Sequence, residues 1–351
     1  MKKSLIALAV LAAAGAASAQ SSVTLYGIVD AYVGNVKDTI AKPGTSSQNV
    51  VNSAGLSNNR WGLKGSEDLG GGLKANFVLE SGFTSDNGAA AGDLFGRQST
   101  VGLSGNFGSV NLGRNYTPYQ SLRGLTNNTV DSNMAVTDGV WSAGSTYKAD
   151  GTVDKSTDYV IRASNSIRFD SNVYSGFSGS VAYGFGENKN ASDNLNNSST
   201  DIVSLNVQYA NGPLLVGYAH EQVQQKRNVT VPSTTKFNLI AGSYDFGVAK
   251  LVGGYNNVKR DAVLGLGAED KEYQFGVSAP FGATTVYFGY AQSKNENANG
   301  STFEKRAGFD LAATYALSKR TTAYAGYKTY EIKDVADREV KAFGVGVKHT
   351  F

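Results

Sequence analysis

Cysteine does not occur among the 351 residues, so no disulfide, thiolate metal site or thiol nucleophile is available. Histidine occurs only as His220 and His349, and neither sits in a Ser–His–acid grouping. Metal-ligand spacings, phosphate loops and dinucleotide fingerprints are missing as well. Neither an enzyme nor any cofactor or metal is expected. Proline is scarce, 5 residues against 42 glycines, which suits twisted strands and tight turns and excludes Pro-rich linkers. Beyond the first twenty residues no run approaches 18 consecutive apolar positions, so no spanning helix is expected. The charge is also small. A formal +3 that includes Lys2 and Lys3 gives no reason to expect a nucleic-acid partner.

The sequence does contain an export signal. Lys2 and Lys3 precede an apolar run from Leu5 to Ala17, and Ala17-Ser18-Ala19 is a small-x-small cleavage site. The run is too short and too alanine-rich to anchor a helix in a bilayer. Residues 1–19 are therefore expected to be removed, leaving a mature chain at 20–351 with a charge of about +1 once two lysines are lost. A mean hydropathy of −0.25 looks wrong for a membrane protein. It fits if only every second residue of a strand meets lipid while lumen and loops are polar.

Strand-sized segments fill the remainder. Leu205, Val207 and Tyr209 alternate with Ser204, Asn206 and Gln208, and Phe309, Leu311, Ala313 and Tyr315 alternate with Asp310, Ala312 and Thr314. Val286, Phe288, Tyr290 and Ala323, Ala325, Tyr327 repeat the pattern, and Leu239, Ala241, Ser243 show it more weakly. The connections are of two kinds. Seven are short and mostly glycine-rich, such as Asp68-Leu69-Gly70-Gly71-Gly72 and Pro280-Phe281-Gly282. Eight are long and rich in Asn, Ser, Asp, Lys and Thr, at roughly 35–55, 85–93, 117–157, 186–200, 224–235, 259–270, 294–305 and 333–339. Fifteen connections join sixteen strands, and strict alternation of short and long means antiparallel hairpins throughout. Both termini then lie at the tight-turn, periplasmic end. In the last strand Phe343, Val345, Val347 and Phe351 share one face, broken by His349, while Lys341, Lys348 and glycines hold the other. Apolar towards lipid, polar towards a lumen and aromatic at the boundary, this reads as an all-β, sixteen-stranded antiparallel transmembrane barrel in the outer membrane.

Four segments carry a family resemblance. They are Ser22-Val23-Thr24-Leu25-Tyr26-Gly27-Ile28-Val29-Asp30, the run from Arg60-Trp61-Gly62-Leu63-Lys64-Gly65 to Ala75, Phe95-Gly96-Arg97-Gln98-Ser99-Thr100-Val101-Gly102-Leu103, and Asn165-Ser166-Ile167-Arg168-Phe169-Asp170. With the terminal Phe351 they resemble the general porins of Gram-negative bacteria, particularly the trimeric porins of β-proteobacteria. The resemblance implies a homotrimer in outer-membrane lipid and lipopolysaccharide, passing ions and small hydrophilic solutes. It also implies that a third loop folds into the lumen, and that barrel-assembly machinery reads Phe351.

The longest connection, 117–158, fits that third loop, since about 40 residues without strand pattern are unusual in a compact fold. By resemblance its acids, here Asp131 and Asp138, face a basic wall. Arg60, Arg97 and Arg162 stand at the matching wall positions, with Lys64, Lys74 and Arg114 as secondary candidates. Arg60 shares the parity of Lys64 and opposes Trp61 and Leu63, so the pleat turns it inward. Arg97 has the parity of Val101 and Leu103, which leaves two options: a bulge, or a polar Gln98/Thr100 face turned outward onto a neighbouring subunit. Arg114 has the parity of Val110 and Leu112 and is the weakest. Guanidinium stays charged across physiological pH. The expected function is a water-filled diffusion pore that prefers anions. The alternatives are a solute-specific porin for phosphate, organic anions or sugars, and an outer-membrane adhesin or structural barrel.

Overall fold

A computed structural model describes residues 22–40, 44–127, 132–141, 146–147, 153–154, 159–186, 199–226, 233–261, 268–334 and 337–351. The signal segment 1–19 and Asp131 lie outside these residues.

The strands are β1 (Ser22–Ile40), β2 (Gly44–Ser53), β3 (Arg60–Gly70), β4 (Leu73–Gly82), β5 (Gln98–Gly105), β6 (Gly108–Tyr116), β7 (Thr146–Tyr147), β8 (Val153–Asp154), β9 (Arg162–Asp170), β10 (Phe177–Gly184), β11 (Ser199–Asn211), β12 (Leu214–Lys226), β13 (Ser233–Asp245), β14 (Lys250–Arg260), β15 (Glu269–Phe281), β16 (Thr284–Glu296), β17 (Thr302–Ala316), β18 (Thr321–Lys333) and β19 (Arg338–Thr350). Two helices, α1 (Pro118–Leu125) and α2 (Thr137–Val140), sit in the connection between β6 and β9, as does the small β7–β8 ladder.

Every barrel strand is antiparallel to its neighbours. The sheet closes where β19 pairs with β1 from Ile28↔Thr350 to Ile40↔Arg338. The other edge of β1 pairs with β3 below and β2 above, so β2 and β3 are two parts of one interrupted strand. The barrel therefore has sixteen strands, and the tight turns all lie at one end. The alternation in β11, β16, β17, β18 and β19 puts the apolar residues outside: Val207, Val286, Leu311, Val345 and Val347 are exposed on the outer face.

Two details differ from the sequence reading. The first connection is not a loop at 35–55. Val36↔Gln48 and Thr39↔Thr45 are ladder pairs, and only 41–43 separate β1 from β2. Both faces of this upper hairpin are mainly polar, so no alternation marks it as strand. In β13 the inward residues are Phe237, Leu239 and Ala241, all buried, while Ile240 faces out. Here the apolar set faces inward, where the third loop packs on it, and the outward set mixes Lys236, Asn238 and Ile240, which is why the pattern is weak.

The strand interruption at 54–59 is built by Asp30. Its carboxylate accepts the N–H groups of Gly55, Leu56 and Ser57 at 3.1, 2.9 and 2.8 Å, and the Tyr324 hydroxyl donates to it as well. Ala54 takes a left-handed φ of 63° where the chain leaves the ladder. The freed backbone becomes a dock. Asn133 donates to Ala54 O (2.8 Å) and Ser53 O (2.7 Å), and Ser132 Oγ donates to Gly55 O at 2.5 Å. Met134 fills the space that glycine leaves on two strands: a Cβ on Gly326 or Gly344 would come within 2.9 or 2.8 Å of its side chain.

Candidate functional site: the lumen constriction

The third loop enters the lumen through α1. Thr117 caps the helix by accepting the Gln120 N–H (3.2 Å), and Pro118 occupies the first turn, where no N–H is needed. One face packs on the inner wall. The Tyr119 N–H donates to Ser204 Oγ (3.0 Å), Asn206 Nδ2 donates to Pro118 O (2.7 Å), and Leu122 lies in the gap left by Gly217. Burial pushes the Tyr119 hydroxyl well above its ordinary pKa, reinforced by the nearby Glu272 charge. Farther on, Val136, Val140 and Trp141 join Tyr119 and Leu122 in an apolar cluster with Ala219, Val223, Phe237, Leu239 and Val258. Trp141 Nε1 donates to Tyr273 O at 3.0 Å, and Asp310 accepts the Val136 N–H at 2.8 Å. The loop thus fills the lumen along β12–β17. Open space remains along β3–β9.

That open wall carries the basic side chains. Arg97 Nε donates to Glu80 Oε1 at 2.8 Å, and Glu80 Oε2 accepts the Tyr26 hydroxyl at 3.0 Å. Arg97 Nη2 donates to the Tyr116 hydroxyl (3.0 Å), which also accepts from Arg162 Nη2 (2.5 Å), while the Arg162 guanidinium lies 4.4 Å from the Tyr116 ring centroid. Arg60, at the head of β3, acts electrostatically on Tyr26, and Lys64 Nζ lies 5.3 Å from the Tyr26 ring. Tyr26, Glu80, Arg97, Tyr116 and Arg162 thus form one hydrogen-bonded chain, and Arg60, opposite Gly82 in the β3–β4 ladder, stands beside it. This brings the three primary arginines together.

Arg97 resolves the parity problem by a backbone irregularity just ahead of β5. Phe95 has a φ of 55°, a left-handed conformation costly for a bulky side chain, and its ring packs edge-on against Trp61 at 6.1 Å. The Arg97 N–H then bonds Glu80 O at 3.1 Å, the guanidinium reaches the lumen, and Gln98 and Thr100 stay on the inner face. Arg114 sits beside a register shift between Gly113 and Asn115; it donates to Gly96 O and Ser164 Oγ, both at 2.6 Å, and lines a cavity of about 470 Å³ with Arg97 and Arg162.

Towards the turns a second cavity, about 520 Å³, lies between α1 and the wall, lined by Gln98, Thr100, Asn111, Tyr116, Ser121 and Arg168 among others. Arg168 stands out in the sequence only as part of a motif. Here it pairs with Asp170 (2.6 Å) and donates to Tyr116 O (2.7 Å) and Ser121 Oγ (3.0 Å), tying α1 to the wall. Lys74 lies farther along, at a third cavity of about 430 Å³ near the turns. On the loop, Asp138 pairs with Arg123 of the same loop at 3.7 Å and accepts the Ser132 N–H at 3.0 Å. The acid touching the arginines is Glu80, on the wall itself. Its inward parity with Val78 is the signal the sequence offers. Phe351 exchanges two backbone bonds with Gly27 (3.0 and 3.1 Å), and its ring covers that glycine.

Comparison with known proteins places the chain. A family model described as Gram-negative porin matches residues 5–335. Outer membrane porin protein 32 of Delftia acidovorans is 37% identical over 98% of this chain and 94% of its own length. An outer membrane porin protein of Bordetella pertussis is 34% identical over the full length of both. A solved structure described as an anion-selective porin from Comamonas acidovorans superposes with a TM-score of 0.77 at 31% identity, covering 95% of this chain and all of that one. This chain belongs to the Gram-negative porin family, close to the β-proteobacterial outer-membrane porins, and is a barrel channel for passive diffusion across the outer membrane, not an enzyme.

Proposed function

We propose that the channel prefers anions, with Arg60, Arg97 and Arg162 supplying the positive wall and Arg114 and Lys64 adding to it. The observation that carries this is the arginine chain along the open wall, where one carboxylate, Glu80, sits among three guanidinium groups. Each acid in view is set against a cation, Glu80 against Arg97 at 2.8 Å and Asp138 against Arg123 at 3.7 Å, so guanidinium groups remain in excess along the open wall. In a narrow aqueous path with low-dielectric walls, fixed charge concentrates counter-ions and excludes co-ions. The mature chain begins at Gln20, the tight turns face the periplasm, and three copies assemble side by side in lipid. Phe351 is the assembly signal, and deleting it is expected to lower the yield of heat-modifiable trimer without blocking export. Full recovery of unboiled trimer overturns that role.

Planar-bilayer recording of the R60Q/R97Q/R162Q variant in a salt gradient is the deciding experiment. A unit charge acts on an ion 4–8 Å away in water with about 0.5–1 kcal/mol, so the three together change the anion-to-cation ratio on the order of tenfold or more. The reversal potential is expected to move towards cations, most at low salt, and single-channel conductance to rise as three bulky groups leave. An unchanged reversal potential, or a cation-selective wild type, overturns the reading.

A further inference from the structure

On the turn side of the arginines the chemistry of the open wall changes. Gln98 stands opposite Glu80 in the β4–β5 ladder, and the next inward positions on β5 and β6 are Thr100, Gly102 and Asn111. Asn111 stands opposite Arg168 of β9. These residues form the floor of the cavity of about 520 Å³, and Gln120 and Gly124 of α1 form its roof.

Charge in this chamber is balanced. Arg168 donates through Nε and Nη2 to Asp170 at 2.9 and 2.6 Å, and through Nη1 to Tyr116 O and Ser121 Oγ. The guanidinium has its carboxylate beside it, so neither sign of ion is strongly drawn in. What the chamber offers is unused hydrogen bonding. Among the described residues, the side chains of Gln98, Thr100 and Asn111 have no hydrogen-bond partner. Gln120 is the sharper case: it is 3% exposed, and its Oε1 is buried without a partner. Native folds pair nearly all such atoms, so the bond is left for water or a solute to complete.

Glycine keeps the space open. A Cβ on Gly124 would meet no atom within 4 Å, and Gly102 leaves bare backbone where the Asn111 carboxamide oxygen lies. Val78, Leu125 and the Tyr116 ring add apolar surface.

A neutral polyol matches this lining. A carboxamide carries both donors and an acceptor, and a hydroxyl both donates and accepts, so adjacent hydroxyls satisfy both ends of one amide. An ammonium only donates and a carboxylate only accepts, and either leaves part of each amide unpaired. The C–H faces of a sugar ring suit the apolar patches, and the volume lies within the range of roughly 300–1,000 Å³ usual for small-molecule sites.

We propose that this chamber binds neutral polyhydroxylated solutes, sugars and sugar alcohols, in series with the arginine constriction, with Gln98, Asn111 and Gln120 as its specificity residues. It does not rest on the anion preference of the channel, and a cation-selective wild type would leave it untouched.

The test is single-channel recording of the full-length porin at about 1 M salt, where screening confines the arginine field to about 3 Å. The probes are D-glucose and triethylene glycol dimethyl ether, which are similar in size, but the ether only accepts hydrogen bonds. With glucose the current is expected to fall and level off as the site fills, whereas with the ether it follows the bulk conductivity of the solution. Each neutral hydrogen bond lost weakens binding on the order of two- to tenfold, so Q98M/N111L/Q120M is expected to raise the half-saturating glucose concentration about tenfold or more. Gly124→Leu fills the open space without weakening α1 and is expected to raise it as well. A glucose response that never saturates in wild type overturns the proposal. So does equal saturation by both probes, which would report size alone, and that comparison holds even if a variant folds poorly. A wild-type half-saturating concentration in the triple variant overturns the assignment of the three amides.

Discussion

The two halves of the lumen are built on opposite terms. Along β12–β17 the inner wall carries Phe237, Leu239, Val258 and Ala219, and the third loop lies on it with Tyr119, Leu122 and Trp141 fully buried. Along β3–β9 the inner wall carries Arg97, Glu80, Thr100, Asn111 and Arg168, and cavities remain between it and the loop. One half is a protein core that happens to lie inside a barrel. The other is a water-filled charged groove. A side chain on the first half sets where the loop stands, while one on the second sets what the passing ion feels. The eccentric path follows from this division, with the open space on the side of the charged wall.

Breaking the packed half should have the largest effect of any single change. Trp141→Ala removes a fully buried ring and its bond to Tyr273 O, at a cost of about 3–5 kcal/mol. The sixteen-stranded sheet does not depend on that ring, so the loss falls on the loop. Bilayer recordings are expected to show noisier, larger conductance steps, and liposome-swelling assays a higher size limit, with the folded barrel recovered in normal yield. A quiet channel of wild-type conductance would mean that Arg168 and the Ser132–Met134 dock hold the loop without the apolar cluster.

The sequence revealed these halves unequally. Sixteen strands and a closing strand that ends on Phe351 were legible because lipid imposes strict two-residue alternation on one face. The packed half was obscured for the opposite reason. Where a loop fills the lumen, the inner face of β13 turns apolar, and Leu239 and Ile240 look alike, though one is buried and the other exposed. The arginines were legible through motifs, but their grouping depends on Tyr116, Tyr26 and Glu80, which meet across strands far apart in sequence. Arg97 departs from the parity rule because of one left-handed residue, Phe95, which no pattern announces. Asp138 stands out in the sequence because it lies on the loop. Its pairing with Arg123 inside that loop depends on how α1 and α2 face each other.

Within the charged half, Glu80→Gln tests whether wall charge or loop charge sets selectivity. The substitution keeps an oxygen for the Tyr26 hydroxyl and removes one negative charge beside Arg97. By the same Coulomb estimate of about 0.5–1 kcal/mol, the anion-to-cation ratio is expected to rise two- to fivefold. Reversal potentials in a potassium chloride gradient read this directly. Asp138→Asn, whose carboxylate already faces Arg123, should move the same reading less. A larger shift from Asp138 than from Glu80 would assign the field to the loop and reverse the comparison.

Lys74→Gln should have the smallest effect, and it separates position from charge count. Lys74 carries the same charge as Arg97 and faces the lumen from the same strand as Glu80, but it lies at the wide turn-end mouth beside Ser104 and Asn106. At physiological salt the Debye length is about 8 Å, so an exposed charge there acts only on ions passing close to it. The expected change in reversal potential is small at 0.01 M salt, where screening extends to about 30 Å, and absent at 1 M, where it shortens to about 3 Å. The change from Glu80→Gln should persist further into high salt, since that carboxylate is buried and buried charge is screened much less. If Lys74 and Glu80 gave shifts of equal size and equal salt dependence, selectivity would follow net charge along the whole lumen, and the constriction would have no special standing.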